Sequence, residues 1–161
     1  MEATGKAVDG VLGDREIVIS RLIAAPRERV WKAFTTAEAL AHWWGPTGFT
    51  ITTRSFDFRV GGDWVFIMHG PDGHDYPNWI RFTRIDEPSR MDHDHGGDSD
   101  RVIFRAVITL DELEGKTRVT LHSTFETMEH RDLVVKEYGA IEGGQQTLSR
   151  LDEHVSNPQN P

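Results

Sequence analysis

The sequence predicts an α+β domain: a curved antiparallel β-sheet wrapped around a long C-terminal α-helix, with two short helices after the first strand. Three patterns predict it. A β-branched run near the start is followed by two short amphipathic segments. Six strand-like segments then succeed one another with no helix between them, which implies an antiparallel meander, and the chain closes on a stretch of helical periodicity. One amphipathic helix laid across a curved sheet is an economical cover for one of its faces.

The first strand is Arg15–Ala25, REIVISRLIAA, rich in β-branched residues. Pro26 breaks it and opens a short helix whose apolar side carries Val30, Trp31 and Phe34. A second short helix has Thr36 as its N-cap, Glu38 in its first turn and Leu40, Trp43 and Trp44 on its apolar side, and Gly45-Pro46 ends it. From Phe49 the strands are FTITTRSFDF, GGDWVFIMHG, YPNWIRFTRID, SRMDHDHG, DRVIFRAVITLDEL and KTRVTLHSTFE. The turns between them hold Gly61-Gly62, Pro71-Asp72-Gly73, Glu87-Pro88, Gly96-Gly97 and Glu114-Gly115. Alternation puts Val102, Phe104, Ala106, Ile108 and Leu110 on one face of their strand, and Val119, Leu121 and Phe125 on one face of the next.

The last helix is read over His130–Val155, with an apolar stripe through Val134, Tyr138, Ile141, Leu148, Leu151 and Val155. Gly139, Gly143 and Gly144 stand in its middle. Each helical glycine costs roughly 0.5–1 kcal/mol relative to alanine, so the three together forgo about 2–3 kcal/mol. Either the helix backbone approaches the sheet closely or space beside it is left for a ligand.

A length of 161 residues fits one domain, placed at 15–155, with flexible tails at 1–14 and 156–161. A formal charge of −8 without a basic stripe argues against nucleic acid and anionic membranes as partners. No apolar run approaches the roughly 20 residues of a membrane span, and the N-terminus has no apolar core for a signal peptide, so a cytoplasmic location is expected. The absence of cysteine excludes disulfides, thiolate nucleophiles and cysteine-ligated metals. With no nucleophile elbow, HExxH motif, phosphate loop or dinucleotide fingerprint, no cofactor is expected.

Four phrases, SRLIAAPRERVWKAFTTAEALAHWWGP, FDFRVGGDWVFIMHGPDG, RMDHDHGGD and YGAIEGGQQTLSRL, carry a resemblance that covers about residues 15–155. The chain resembles the START-like, or SRPBCC, superfamily, and within it homologues of the C-terminal domain of the heat-shock protein 90 ATPase activator. The resemblance implies a helix-grip fold whose sheet and long helix enclose an apolar cavity, open to ligands at one end. Relatives range from lipid and hormone carriers to polyketide cyclases, so fold alone implies no reaction. Nothing before residue 15 offers the separate N-terminal domain with which the eukaryotic co-chaperone grips its chaperone.

The candidate ligand-binding residues are Trp43, Trp44, Trp64, Phe66, Met68, Trp79, Ile141, Glu142 and Gln146. Trp64, Phe66 and Met68 share one strand face, opposite Val65, Ile67 and His69, so only one of these sets can line a cavity. Acid–base candidates are His69, Asp75, Tyr76, His93, His122 and Glu142, with His122 on the wetter face of its strand. His93 and His95 lie two apart and would share a face; with Asp98 or His69 they could ligate zinc or nickel. The stronger reading of DHGGD is a hairpin solvated by its acids, so no metal is expected.

The favoured function is binding of a hydrophobic or amphipathic small molecule between helix and sheet. The alternatives are a cyclase- or hydrolase-like enzyme using a cavity acid or base, and a chaperone-ATPase-activator-like interaction module. Ile103 and Val107, read as exposed on the sheet, allow a homodimer.

Overall fold

In the computed structural model, which describes residues 9–157, the chain begins with β1 (Gly10–Leu12) and β2 (Glu16–Ile23) and continues into the short helices α1 (Arg27–Lys32) and α2 (Ala37–Trp43). Six strands follow: β3 (Thr50–Phe56), β4 (Asp63–His69), β5 (Asp75–Asp86), β6 (Arg90–Gly96), β7 (Val102–Leu113) and β8 (Lys116–Phe125). Helices α3 (Met128–Tyr138) and α4 (Ala140–Ser156) close the chain. The strands form one eight-stranded antiparallel sheet in the order β1-β2-β8-β7-β6-β5-β4-β3. The six-strand meander and its turns stand where alternation and turn chemistry put them.

Two expectations are corrected. The tail does not run free to residue 14: Gly10–Leu12 pairs with Glu16–Val18, and Asp9 accepts a bond from the Ser20 amide at 2.8 Å. Of the two expected tails, residues 1–8 and 158–161 lie outside the described residues. The C-terminal helix is also not continuous. Gly139 adopts φ 59°, a left-handed conformation that ends α3 and starts α4. It therefore carries no helix-interior cost, and Tyr138, expected in the apolar stripe, is 73% exposed at the bend.

Gly144 lies inside α4 for a steric reason. A Cβ there would stand 2.2 Å from Ile19 Cδ1 on β2, so close approach of helix to sheet is its cause. Thr36 and Thr127 cap α2 and α3 by accepting from the amides of Ala39 and His130. The third fixture is Arg131, only 3% exposed, whose guanidinium donates to the carbonyl of Glu16 at 2.9 Å and also reaches those of Leu12 and Gly13, tying α3 to the β1–β2 turn.

The core lies between the inner sheet face and α1, α2 and α4. Its closed end is sealed, with Ile23, Val30, Leu110, Val119, Leu148 and Leu151 at 0% exposure. Toward the opposite strand ends the inward-facing Met68, Asn78 and Phe104 are only half-buried. Ile103 and Val107 are half-buried rather than exposed. Among the described residues no helix is long and apolar enough to cross a membrane.

Candidate functional site

The strand registers set side chains in rows across the inner face. Phe125, Phe104, His95, Ile80, Trp64 and Phe56 stand side by side from β8 to β3, and Ser123, Ala106, His93 and Phe82 form the adjoining row. The rings pack on one another: His95 stacks on Phe104 at 4.5 Å, Trp64 on Phe66 at 3.8 Å, and Trp44 meets Trp64 edge-on at 5.2 Å. Beside these rings a space of about 10 Å³ is bounded by Leu40 and Trp44 from the α2 side and by Trp64, Phe82, His93 and Ile108 from the sheet; His95, Phe66 and Phe104 do not line it. That is room for about one water. This space lies beneath α2, and a larger open cleft runs alongside α4, lined by Thr47, Phe49, Gln146 and Arg150.

Two imidazoles stand in this apolar interior. His93 is 2% exposed and His95 9% exposed, their ring centroids are 5.8 Å apart, and Nδ1 of each is buried without a hydrogen-bond partner. Burial pushes the His93 pKa down to about 4 against the smaller opposing pull of the Asp94 backbone and the Asp92 charge. Burial, followed by the neighbouring His93, pushes His95 down to about 3. Both rings are neutral at pH 7. His95 Nε2 lies 2.7 Å from Asn78 Oδ1, and Asn78 Nδ2 donates to the Tyr76 carbonyl at 2.8 Å.

The nine sequence-derived candidates separate into three groups. Trp43, Trp44, Trp64, Phe66 and Met68 converge on the inner side, where Trp43 is fully buried and donates from Nε1 to the Ala33 carbonyl at 3.0 Å. Ile141 packs half-buried at the edge of the same core. Trp79, Glu142 and Gln146 stand apart from the interior. The register pairs Trp79 with Val65 and Gly96, so its indole lies on the outer face, where a Cβ at Gly96 would sit 2.2 Å from it. Its Nε1 donates to the Ser99 carbonyl at 2.7 Å, pinning the β6–β7 loop. Glu142 is exposed, and Gln146 faces a surface cleft, accepting from the Thr47 amide at 3.1 Å.

The other candidates lie outside the interior. His69 bridges Thr52 and Asp75 on the outer face at 2.7 Å each, and His122 lies 2.7 Å from Glu16. Asp98 lines an outer cleft with Trp79 and Arg81. The third ligands weighed for a His93–His95 metal site are therefore across the sheet, and no group of three or more suitable side chains gathers among the described residues. Sequence reasoning read SRMDHDHG as a strand with His93 and His95 on one face and DHGGD as a hairpin solvated by its acids, without fixing that face as the inner one. The signal was present in the period of two that puts His93 and His95 on the side of Met91, itself 2% exposed.

A curved sheet gripping a C-terminal helix around an aromatic interior defines a helix-grip domain. The family model described as "Activator of Hsp90 ATPase homolog 1-like protein" matches residues 24–156, and the chain belongs to that family. It is similar to a protein of Arthrobacter aurescens solved by NMR, with 30% identity over 98% of this chain and 95% of that one and a TM-score of 0.84. A crystal structure from Mycobacterium smegmatis is 28% identical over 94% of this chain and 97% of that one, also at 0.84. DynU16, a protein of the dynemicin biosynthetic locus, shares the fold alone, at 16% identity over 90% of this chain and 48% of that one, with a TM-score of 0.67. No curated protein matches the chain.

Proposed function

We propose that the domain binds a hydrophobic or amphipathic small molecule within its aromatic interior, at the half-covered end of the inner sheet face. The observation that carries the reading is the pair of buried imidazoles with unpartnered Nδ1 atoms. A domain that needed only a packed core would gain by replacing them, because a buried unsatisfied polar atom costs about 1–3 kcal/mol. Membership of a helix-grip family supports the reading as well. Since the enclosed space is about 10 Å³, binding there requires side chains to move, and Trp44 is the half-buried side chain of its lining. An acid–base enzyme is a poorer fit: imidazoles held near pKa 4 and 3 are weak bases at neutral pH.

The test is native mass spectrometry of freshly purified protein, combined with tryptophan-fluorescence titration against a series of apolar molecules. A retained or added molecule that quenches wild-type fluorescence, and does so with reduced affinity in Trp44→Ala, is the expected result. No retained mass and no saturable quenching by any member of the series would overturn the reading.

A further inference from the structure

The orientation of the Asn78 amide fixes the hydrogen-bonding character of the buried His95. Asn78 Nδ2 donates to the Tyr76 carbonyl at 2.8 Å, so turning the amide over would set two oxygens against each other. Oδ1 therefore faces His95, and because an amide oxygen only accepts, His95 Nε2 must carry the proton of this 2.7 Å bond. A neutral imidazole holds one ring proton. Nδ1 is then a bare lone pair, buried without a hydrogen-bond partner among the described residues, on a ring flanked by Phe104, Phe66 and His93.

We infer that the interior recognises the hydroxyl of an aromatic alcohol, with His95 Nδ1 accepting the O–H hydrogen bond while the surrounding rings hold the aromatic body. The inference rests on the interior-binding reading above and adds to it the polar group that the ligand must carry. Ethers, ketones and carboxylates lack the donor and would leave the lone pair unpaired; plain hydrocarbons do the same. The faces of Trp64, Phe66 and Phe104 favour a planar ring over a flexible chain. Phe104, stacked on His95, is itself half-buried. Asn78 is a positioning residue: it touches no ligand and acts by holding the tautomer.

The experiment compares naphthol with naphthalene by fluorescence titration of the whole protein, alongside nitrogen NMR of histidine-labelled protein to read the His95 tautomer. An interior without the acceptor prefers naphthalene, the more apolar ring, so preference for naphthol is a sign test. The expected result is at least about tenfold tighter binding of naphthol. It is accompanied by an unprotonated Nδ1 in the free protein, and the preference is abolished in His95→Phe and reduced in Asn78→Leu. Should His95→Phe not fold, the wild-type NMR still decides, since a protonated Nδ1 overturns the inference. Equal or tighter binding of naphthalene also overturns it while leaving the interior-binding reading intact. If neither ring binds, the inference falls, and the mass-spectrometric test separately decides whether the interior holds any ligand.

Discussion

At the scale of single residues, the contact between Gly144 and Ile19 sets the spacing of α4 above the sheet. Alanine is the better helix former by roughly 0.5–1 kcal/mol, but its Cβ would fall 2.2 Å from Ile19 Cδ1 and 3.4 Å from Cγ1. Overpacking of this kind costs about 1–3 kcal/mol, so Gly144→Ala is expected to lower stability in urea denaturation. Ile19→Val removes the clashing methyl, and the double variant should recover part of the loss, a coupling readable in a double-mutant cycle. The buried imidazoles act on stability through pH. Their folded pKa values, about 4 and about 3, lie below the unfolded value of 6.5, so the unfolded chain binds the extra protons. Their contribution is complete above about pH 6.5 and is lost as pH falls from there toward the folded values, by up to about 1.4 kcal/mol per group per pH unit. The urea midpoint should hold steady above that point and drop below it. His95→Phe should flatten the drop, and an unchanged slope would count against a buried neutral His95.

Among the elements, α3 has little apolar packing and is held by a charged side chain. Its apolar stripe is reduced to Val134 and Val135, both half-buried, while Met128, Leu133 and Tyr138 are exposed. Arg131 compensates by holding carbonyls of the β1–β2 turn. Hydrogen bonds from a charged donor contribute about 1.5–3 kcal/mol, so Arg131→Ala should destabilise by that order. Hydrogen exchange should show the loss in α3 and β1, while α4, anchored by Leu148, Leu151 and Val155, keeps its protection. This device was hidden in the sequence because arginine reads as a surface residue, and β1 was hidden because three residues carry too little periodicity to register. The meander was legible, since each of its strands alternates over seven residues or more and is closed by turn chemistry. The break at Gly139 was half-legible: the glycine was conspicuous, but the helical period continues across it and concealed the change of direction.

For the whole molecule, periodicity identified which side chains share a face, but neither which face is the inner one nor how much space the side chains leave. It grouped Trp64, Phe66 and Met68 on one strand face, whereas Trp79 needed the register with Val65 to place it on the far face. Volume depends on how rings from six strands and two helices settle against each other, and no local pattern encodes that. The resulting interior is filled by its own aromatics, and Phe104 already covers one face of His95, so a ring bound as proposed would have to compete with it. Truncating that ring tests the competition. Phe104→Ala should destabilise the free protein by about 3 kcal/mol, the lower end of the usual range applying because the ring is half-buried. The same change leaves a ring-sized apolar void, and such voids take up small aromatic molecules. The variant should therefore bind naphthol more tightly than the wild type, and added naphthol should raise its melting temperature more. Trp79→Ala, a larger truncation on the outer face, should give no such rescue. Equal stabilisation of both variants by naphthol would mean that the ring binds elsewhere than beside His95.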